Sequence, residues 1–104
     1  MKKLSATQIK AALVAVPEWK KTGSTIARTF QFKTFPAAIK FVNAVARSAE
    51  KANHHPDIDI RWNKVKLGLT THDAGGLTQN DFKMAGIFDG LSNKYARHLK
   101  IVLR

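Results

Sequence analysis

Four residues in the middle of the chain combine the side-chain types and the spacing that acid–base chemistry needs. His54 and His55 are adjacent and precede Pro56, and His72 follows eighteen positions after His54. Glu50 stands four residues before His54, which is one turn away on a helix. Imidazole exchanges protons near neutral pH, so a cluster of these residues could both donate and accept protons in a reaction.

Two other interpretations of the histidines have to be weighed. Three imidazoles with an open position form a known type of zinc site, but the spacing of His54, His55 and His72 matches no zinc signature. The chain also has no cysteine, which excludes thiolate zinc sites and iron–sulfur clusters. Alternatively, His54 and His55 simply cap a helix C-terminus, where positive charge is favoured. That interpretation does not account for His72 and Glu50.

The elements that must position these residues can be predicted from caps and from hydrophobic periodicity. Helices are predicted from Ser5 to Pro17, from Thr34 or Phe35 to about residue 53, and from Thr78 onward. Gln8 completes a capping box at the first helix, and Asp81 takes the equivalent N3 position at the third. His54 and His55 therefore fall where the second helix ends.

Alternating apolar and polar residues predict strands at 25–33, 57–62 and 64–71, with 19–21 as a further short candidate. Asn63 and Lys64 are predicted as the two-residue connection of a hairpin, in which positions summing to about 127 lie opposite each other. This register brings His72 to the level of His55. Strands of this pattern have one wet face, so all helices should cover the other face of a two-layer α+β sandwich.

Size and charge narrow the class of protein. The 104 residues fit a single domain spanning residues 1–104. The formal net charge is +11, but the basic residues are scattered with no run longer than two, so nucleic-acid binding is not favoured. The longest apolar run, Ala11 to Val16, is too short to cross a bilayer. With no secretion signal recognised, we expect a cytoplasmic protein without membrane contact.

The residues around the histidines resemble the pterin-4a-carbinolamine dehydratase family. The matching segments are Glu50 to Asp57, Trp62 to Val65, Thr70 to Asp73, and Gly76 to Thr78 with Asp81. Trp19 and the segment 30–32 match as well, so the resemblance extends from about residue 4 to residue 97. It is specific because the His-His-Pro and Thr-His elements occur at the family's separation, with Asn-Lys-Val between them.

The resemblance implies a four-stranded antiparallel sheet with three helices packed on one face, in the order α-β-β-α-β-β-α. It also implies dehydration of a 4a-hydroxytetrahydropterin to the quinonoid dihydropterin, which recycles tetrahydrobiopterin for aromatic amino acid hydroxylases without a metal or cofactor. This chemistry suits histidines, because losing water requires an acid for the C4a hydroxyl and a base for the proton on the ring nitrogen.

By the same resemblance, His54 and His72 transfer protons, His55 holds and polarises the substrate, and Glu50 supports His54. The positions implied to line the pterin are Asn53, Thr70, Thr71 and Asp73, with both threonines acting through backbone groups. Asn53 stands where relatives commonly have Asp. Trp19 and Asp81 are implied as supporting residues, although packing explains Trp19 equally well and helix capping already explains Asp81.

The resemblance leaves a second class of function open. Members of this family also serve as dimerisation partners of a transcription factor, and relatives without the histidines serve as assembly factors. This chain retains the three histidines and Glu50, which favours an enzyme. The resemblance further implies a homodimer or homotetramer, for which the apolar residues Tyr95, Leu99 and 101–103 offer a contact.

Overall fold

The computed structural model describes residues 2–102, with side chains as far as residue 96. The elements follow in the order α1 (Ala6–Val14), β1 (Lys20–Thr22), β2 (Thr25–Gln31), α2 (Phe35–Ala52), β3 (Asp57–Arg61), β4 (Lys64–Leu69) and α3 (Gln79–Val102), with a 3₁₀ turn at His72–Ala74 before α3. This order confirms the predicted α-β-β-α-β-β-α arrangement. The contact predicted for residues 99–103 lies outside the described side chains.

Helix α1 begins as its capping box predicts. The Ser5 backbone N–H donates to Gln8 Oε1 at 2.8 Å, and the Gln8 N–H donates to Ser5 Oγ at 3.2 Å. The helix ends at Val14, three residues before the predicted end at Pro17. A proline disfavours helical geometry in the residue before it, so the last regular turn closes earlier.

Helix α2 has the predicted boundaries and carries the histidines at its C-terminal end. Thr34 Oγ1 accepts from the Ala37 N–H at 3.2 Å at its start. Asn53 ends the helix in the left-handed conformation, with φ of 51°. Asn tolerates this conformation better than most residues with a side chain. The chain therefore turns sharply between the last helical residue, Ala52, and His54.

The four strands form one antiparallel sheet in the order β1-β2-β4-β3. The apolar inward residues of β2 and β4 are buried, whereas Ile58 and Ile60 on the edge strand β3 remain 39% and 40% exposed. The buried core joins the sheet to the helices and includes Ile26, Phe30, Val65, Leu67, Leu69, Ala38, Phe41, Val45, Met84, Ala85 and Phe88. The three helices cover one face of the sheet, as predicted.

The hairpin between β3 and β4 differs from the prediction by one residue. Arg61 pairs with Lys64, so Trp62 and Asn63 form the connection and opposite positions sum to 125. Trp62 has a positive φ of 53° and is 72% exposed. Asn63 is buried, and its Nδ2 donates to the Phe32 carbonyl at 2.8 Å. The alternation of apolar and polar residues predicted that Trp62 belongs to the strand. The hydrogen bond from Asn63 to Phe32, just after β2, instead fixes the position of the turn.

The strands adjoining the site are shorter than predicted. β2 ends at Gln31 and β4 at Leu69. His72 is consequently not a strand residue opposite His55; it opens the 3₁₀ turn that leads towards α3. None of the helices in the described part of the chain is long and apolar enough to cross a membrane.

Candidate functional site

His54 forms a buried pair with the first turn of α3. Its Nε2 lies 2.6 Å from Asp81 Oδ1. The His54 side chain is 11% exposed and the Asp81 side chain is fully buried. Two helices meet here, because His54 follows the end of α2 and Asp81 lies in the first turn of α3. A buried carboxylate needs partners for its oxygens, and this one has them.

The second oxygen of Asp81 holds the carboxylate in place. Oδ2 accepts from the Thr78 backbone N–H at 2.9 Å and from Thr71 Oγ1 at 2.8 Å. Thr78 Oγ1 in turn lies 2.9 Å from Thr71 Oγ1. The sequence indicates the capping contact with Thr78. The structure adds that the same carboxylate orients His54, so Asp81 performs both roles.

His55 forms a second, exposed pair with Glu50. Its Nε2 lies 2.8 Å from Glu50 Oε2, and the two side chains are 57% and 80% exposed. This corrects the expectation that Glu50 supports His54. The four-residue spacing places two side chains together only while the helix continues, and α2 ends at Ala52 before His54 is reached.

His72 reaches the site through its neighbour. Thr71, which binds Asp81, immediately precedes His72. The His72 carbonyl accepts from the Gly75 N–H at 3.0 Å, and Gly75 closes the turn with a φ of 75°. The His72 side chain is exposed. Thus the hydrogen bonds from His54 through Asp81 to Thr71 bring the backbone of His72 to the same end of the sheet, although the predicted strand register is wrong.

The remaining predicted binding residues are neighbours of the histidines in sequence, but they differ in which of their polar groups are already hydrogen-bonded. Asn53 and Asp73 are exposed. Thr70 Oγ1 donates to the Ser24 carbonyl at 2.6 Å. The Thr71 N–H donates to the Gly76 carbonyl at 3.2 Å. Thr71 therefore has both its hydroxyl and its N–H engaged within the protein, and its described contacts position Asp81.

Trp19 lies in the core and is anchored by a residue that the sequence analysis missed. It is 2% exposed and packs edge-on against Phe30, with ring centroids 6.0 Å apart. Its Nε1–H donates to Asp89 Oδ1 at 2.8 Å, and Arg28 Nη1 donates to the same oxygen at 2.7 Å. Asp89 follows Ala85 by four residues on the buried face of α3. An acidic residue on the buried face of a helix needs a hydrogen-bond donor as its partner. This pattern in the sequence could have identified Asp89 as the residue that binds a buried donor.

The arrangement can supply two imidazoles that are each bonded to a carboxylate, and a third, exposed imidazole on His72 at the same end of the sheet. Each carboxylate accepts from Nε2–H of its histidine, which leaves Nδ1 of that ring to exchange a proton. Among the described side chains, no group of three or more His, Asp or Glu residues is placed to hold a metal ion. The chemistry that the geometry offers is general acid–base catalysis.

Comparison with known proteins gives a consistent result. The family model described as pterin 4 alpha carbinolamine dehydratase matches residues 2–91. A protein from Picosynechococcus sp. is 56% identical over 89 residues, covering 86% of this chain and 97% of its own length. One from Chloroflexus aurantiacus is 54% identical over 89 residues, covering 86% and 96%. Both are named, provisionally, as pterin-4-alpha-carbinolamine dehydratases.

Two solved structures share the fold. The transcriptional coactivator/pterin dehydratase from Brucella melitensis superposes with a TM-score of 0.84 at 34% identity, covering 88% of this chain and 99% of that one. A pterin dehydratase-like protein described as a RuBisCO assembly factor in the alpha-carboxysome has a TM-score of 0.63 at 23% identity, with coverage of 72% and 92%. The second likeness concerns the fold alone.

Proposed function

Because this chain belongs to the pterin 4 alpha carbinolamine dehydratase family, we propose that it removes water from a 4a-hydroxytetrahydropterin. The product is the quinonoid dihydropterin. The observation that carries the proposal is the pair of adjacent imidazoles, His54 and His55, each bonded to its own carboxylate. His72 completes the set at the same end of the sheet.

The reaction needs two proton transfers. The bond between C4a and the hydroxyl oxygen breaks, and an acid supplies the proton with which the oxygen leaves as water. A base takes the proton from the ring nitrogen, whose electrons form the new double bond to C4a. No oxidant or reductant is consumed. A positioned acid or base typically contributes about 10²–10⁴-fold to such a rate.

The contacts support distinct roles for the three rings. His54 donates Nε2–H to Asp81 and so presents Nδ1 as a proton acceptor, held in one orientation by a buried carboxylate. His72 is exposed and supplies the second proton transfer. His55, restrained only by the exposed Glu50, holds and polarises the pterin. Asn53, Thr70 and Asp73 complete the substrate-binding surface in this proposal. The Thr71 carbonyl already accepts from the N–H groups of Ala74 and Gly76, so Thr71 contributes by holding Asp81.

The proposal extends to the setting of the reaction. The dihydropterin would return to the tetrahydrobiopterin pool used by aromatic amino acid hydroxylases, in the cytoplasm, with the chain acting as a homo-oligomer. What supports this setting is the family membership. The dehydration step needs only the small molecule and the acid–base groups described above, and a separate two-electron reductant would then convert the dihydropterin to the tetrahydropterin.

The test is dehydration of the 4a-carbinolamine, generated in place by a hydroxylase and followed by ultraviolet absorbance. The wild type is compared with the double variant His54→Ala with His72→Ala. Arg61→Ala, an exposed change on the other face of the sheet, serves as the control. We expect strong acceleration by the wild type and by the control, and loss of about 10³-fold or more in the double variant with an unchanged circular dichroism spectrum. A wild-type rate equal to that in buffer would refute the enzymatic proposal.

A second candidate function is an interaction protein built on the same fold. It is favoured by the name of the structural neighbour from Brucella melitensis, a transcriptional coactivator/pterin dehydratase. Failure of the dehydration assay, together with capture of a defined partner by both the wild type and the double histidine variant, would support this candidate. Retention of the two histidine–carboxylate pairs favours the enzyme.

A further inference from the structure

A groove on the helical side of the molecule has a charge pattern that the dehydratase proposal does not use. It has a volume of about 380 Å³ and lies between the start of α2 and the latter part of α3. Its described lining consists of Lys33, Thr34, Pro36, Ala37, Lys40, Lys94 and Tyr95. The lining therefore combines three lysines with an apolar part, here called the floor, formed by a proline, an alanine and a half-buried tyrosine.

The lysines of this groove lack the acidic neighbours found in the grooves on the outer face of the sheet. On the outer face of the sheet, a groove of about 230 Å³ places Asp59 beside Lys64 and Lys66, and one of about 390 Å³ places Glu18 beside Lys20. No Asp or Glu lines the groove on the helical side among the described residues. Residues 97–104 contain no Asp or Glu either.

The start of α2 adds to the positive potential of the groove. Helices commonly carry Asp or Glu in the first turn, because the N-terminal end of the helix dipole is positive. The first turn of α2 has no acidic residue, so no carboxylate there offsets the positive helix end beside Lys33. None of the three lysines forms an ion pair within the described part of the chain.

We propose that this groove docks an acidic segment of a partner protein. An apolar side chain of the segment rests on Pro36, Ala37 and Tyr95, and flanking carboxylates face the three lysines. The apolar floor favours a peptide over a nucleic acid, because a phosphate backbone would use the rim and leave the floor uncovered.

The probe is a fluorescein-labelled peptide with a central Leu flanked on each side by three Glu residues. Its binding is measured by fluorescence anisotropy at several salt concentrations. The groove variant carries Lys33→Gln, Lys40→Gln and Lys94→Gln, and the matched control carries Lys20→Gln, Lys64→Gln and Lys66→Gln on the sheet face. Both variants remove three exposed charges, so net charge changes equally.

We expect the groove variant to bind about tenfold more weakly and the control variant to change by less than about twofold. Replacing the central Leu with Ser should weaken binding by about three- to tenfold. In NMR spectra, the backbone amides of Ala37 and Tyr95 should shift on titration with the Leu peptide. These expectations do not depend on dehydratase activity, which both variants should retain.

Four outcomes would overturn the proposal. Equal weakening by both variants would indicate non-specific attraction to net charge. Tighter, competing binding of a single-stranded oligothymidylate of the same charge would indicate a phosphate-binding surface. A change in sedimentation of the groove variant alone would indicate that a second copy occupies the groove. No binding of the peptide at about 1 mM would show that the groove does not recognise acidic segments.

Discussion

The two histidine–carboxylate pairs have nearly the same length but differ in how the protein holds them. The His54–Asp81 pair is buried, and both carboxylate oxygens are bonded, with Thr71 and Thr78 on the second oxygen. The His55–Glu50 pair is exposed, and the described contact of Glu50 is with His55 alone. One imidazole is therefore fixed before substrate arrives, whereas the other is restrained by a contact that water and salt weaken.

This difference shows how one short segment can supply a rigid and an adaptable group. An exposed ion pair is worth between zero and about 1 kcal/mol, because solvent competes and two side chains lose freedom. A buried carboxylate with satisfied oxygens keeps its ring in one orientation, which is the preorganisation that proton transfer needs. We therefore expect changes at the buried pair to affect turnover, and changes at the exposed pair to affect substrate binding.

The largest effect is expected from Asp81→Asn. Asn keeps an oxygen for the Thr78 N–H and the Thr71 hydroxyl, but its amide donates towards His54 and forces the ring into the other tautomer. Turnover should fall about 10²–10³-fold, with the circular dichroism spectrum retained. Asp59→Asn, which removes an exposed carboxylate on the sheet, is the control and should leave turnover within about twofold. A turnover near wild type in Asp81→Asn would show that the buried pair is structural only.

A smaller effect is expected from Thr71→Val, which retains the shape but removes the hydroxyl donor to Asp81. Asp81 keeps the Thr78 contact, so turnover should fall only about three- to tenfold. The free energy of unfolding should fall by about 1–2 kcal/mol, since a partly buried hydrogen bond is lost. Urea titration and the dehydration assay measure the two effects. Thr29→Val on the outer face of the sheet is the matched control. An equal loss of activity in both valine variants would contradict a specific role of the Thr71 hydroxyl.

At the exposed pair, Glu50→Gln should change substrate binding rather than turnover. Gln can still accept from His55, but the charge is gone, so we expect KM to rise about two- to fivefold with kcat nearly unchanged. Stability should change by less than about 0.5 kcal/mol. Steady-state kinetics at low and high salt measure this, with Glu18→Gln as the matched exposed control. A fall in kcat as large as that of Asp81→Asn would contradict the contrast between the pairs.

The smallest effect on turnover is expected from Asp89→Asn, away from both pairs. This change weakens the bonds that Trp19 and Arg28 donate to one carboxylate oxygen. The free energy of unfolding should fall by about 1–2 kcal/mol, because a charge-assisted contact is lost at a partly exposed site. Turnover at a temperature well below the unfolding midpoint should stay within about twofold. A large loss of turnover in the folded variant would indicate that Trp19 contributes to the substrate site.

Local signals predicted most of the fold correctly. The capping box of α1, the cap and proline at the start of α2 and the alternation in the strands each depend on residues close together in the chain, and all of these elements are present. The errors occur where distant contacts decide the geometry. Asn63 is bonded to Phe32 across the sheet, and this contact shifts the hairpin by one residue from the position that alternation predicts.

In the candidate site, too, local signals predicted some features and distant contacts decided the others. The types of side chain and their spacing identified four residues able to do acid–base chemistry: His54, His55, His72 and Glu50. Both features can be read directly from the sequence. Which carboxylate serves which histidine was decided by the tertiary structure. The left-handed turn at Asn53 ends the helical spacing between Glu50 and His54, and the packing of α2 against α3 brings Asp81 to His54 from 27 residues away. A pairing of this kind follows from where two helices meet, which no local pattern of residues encodes.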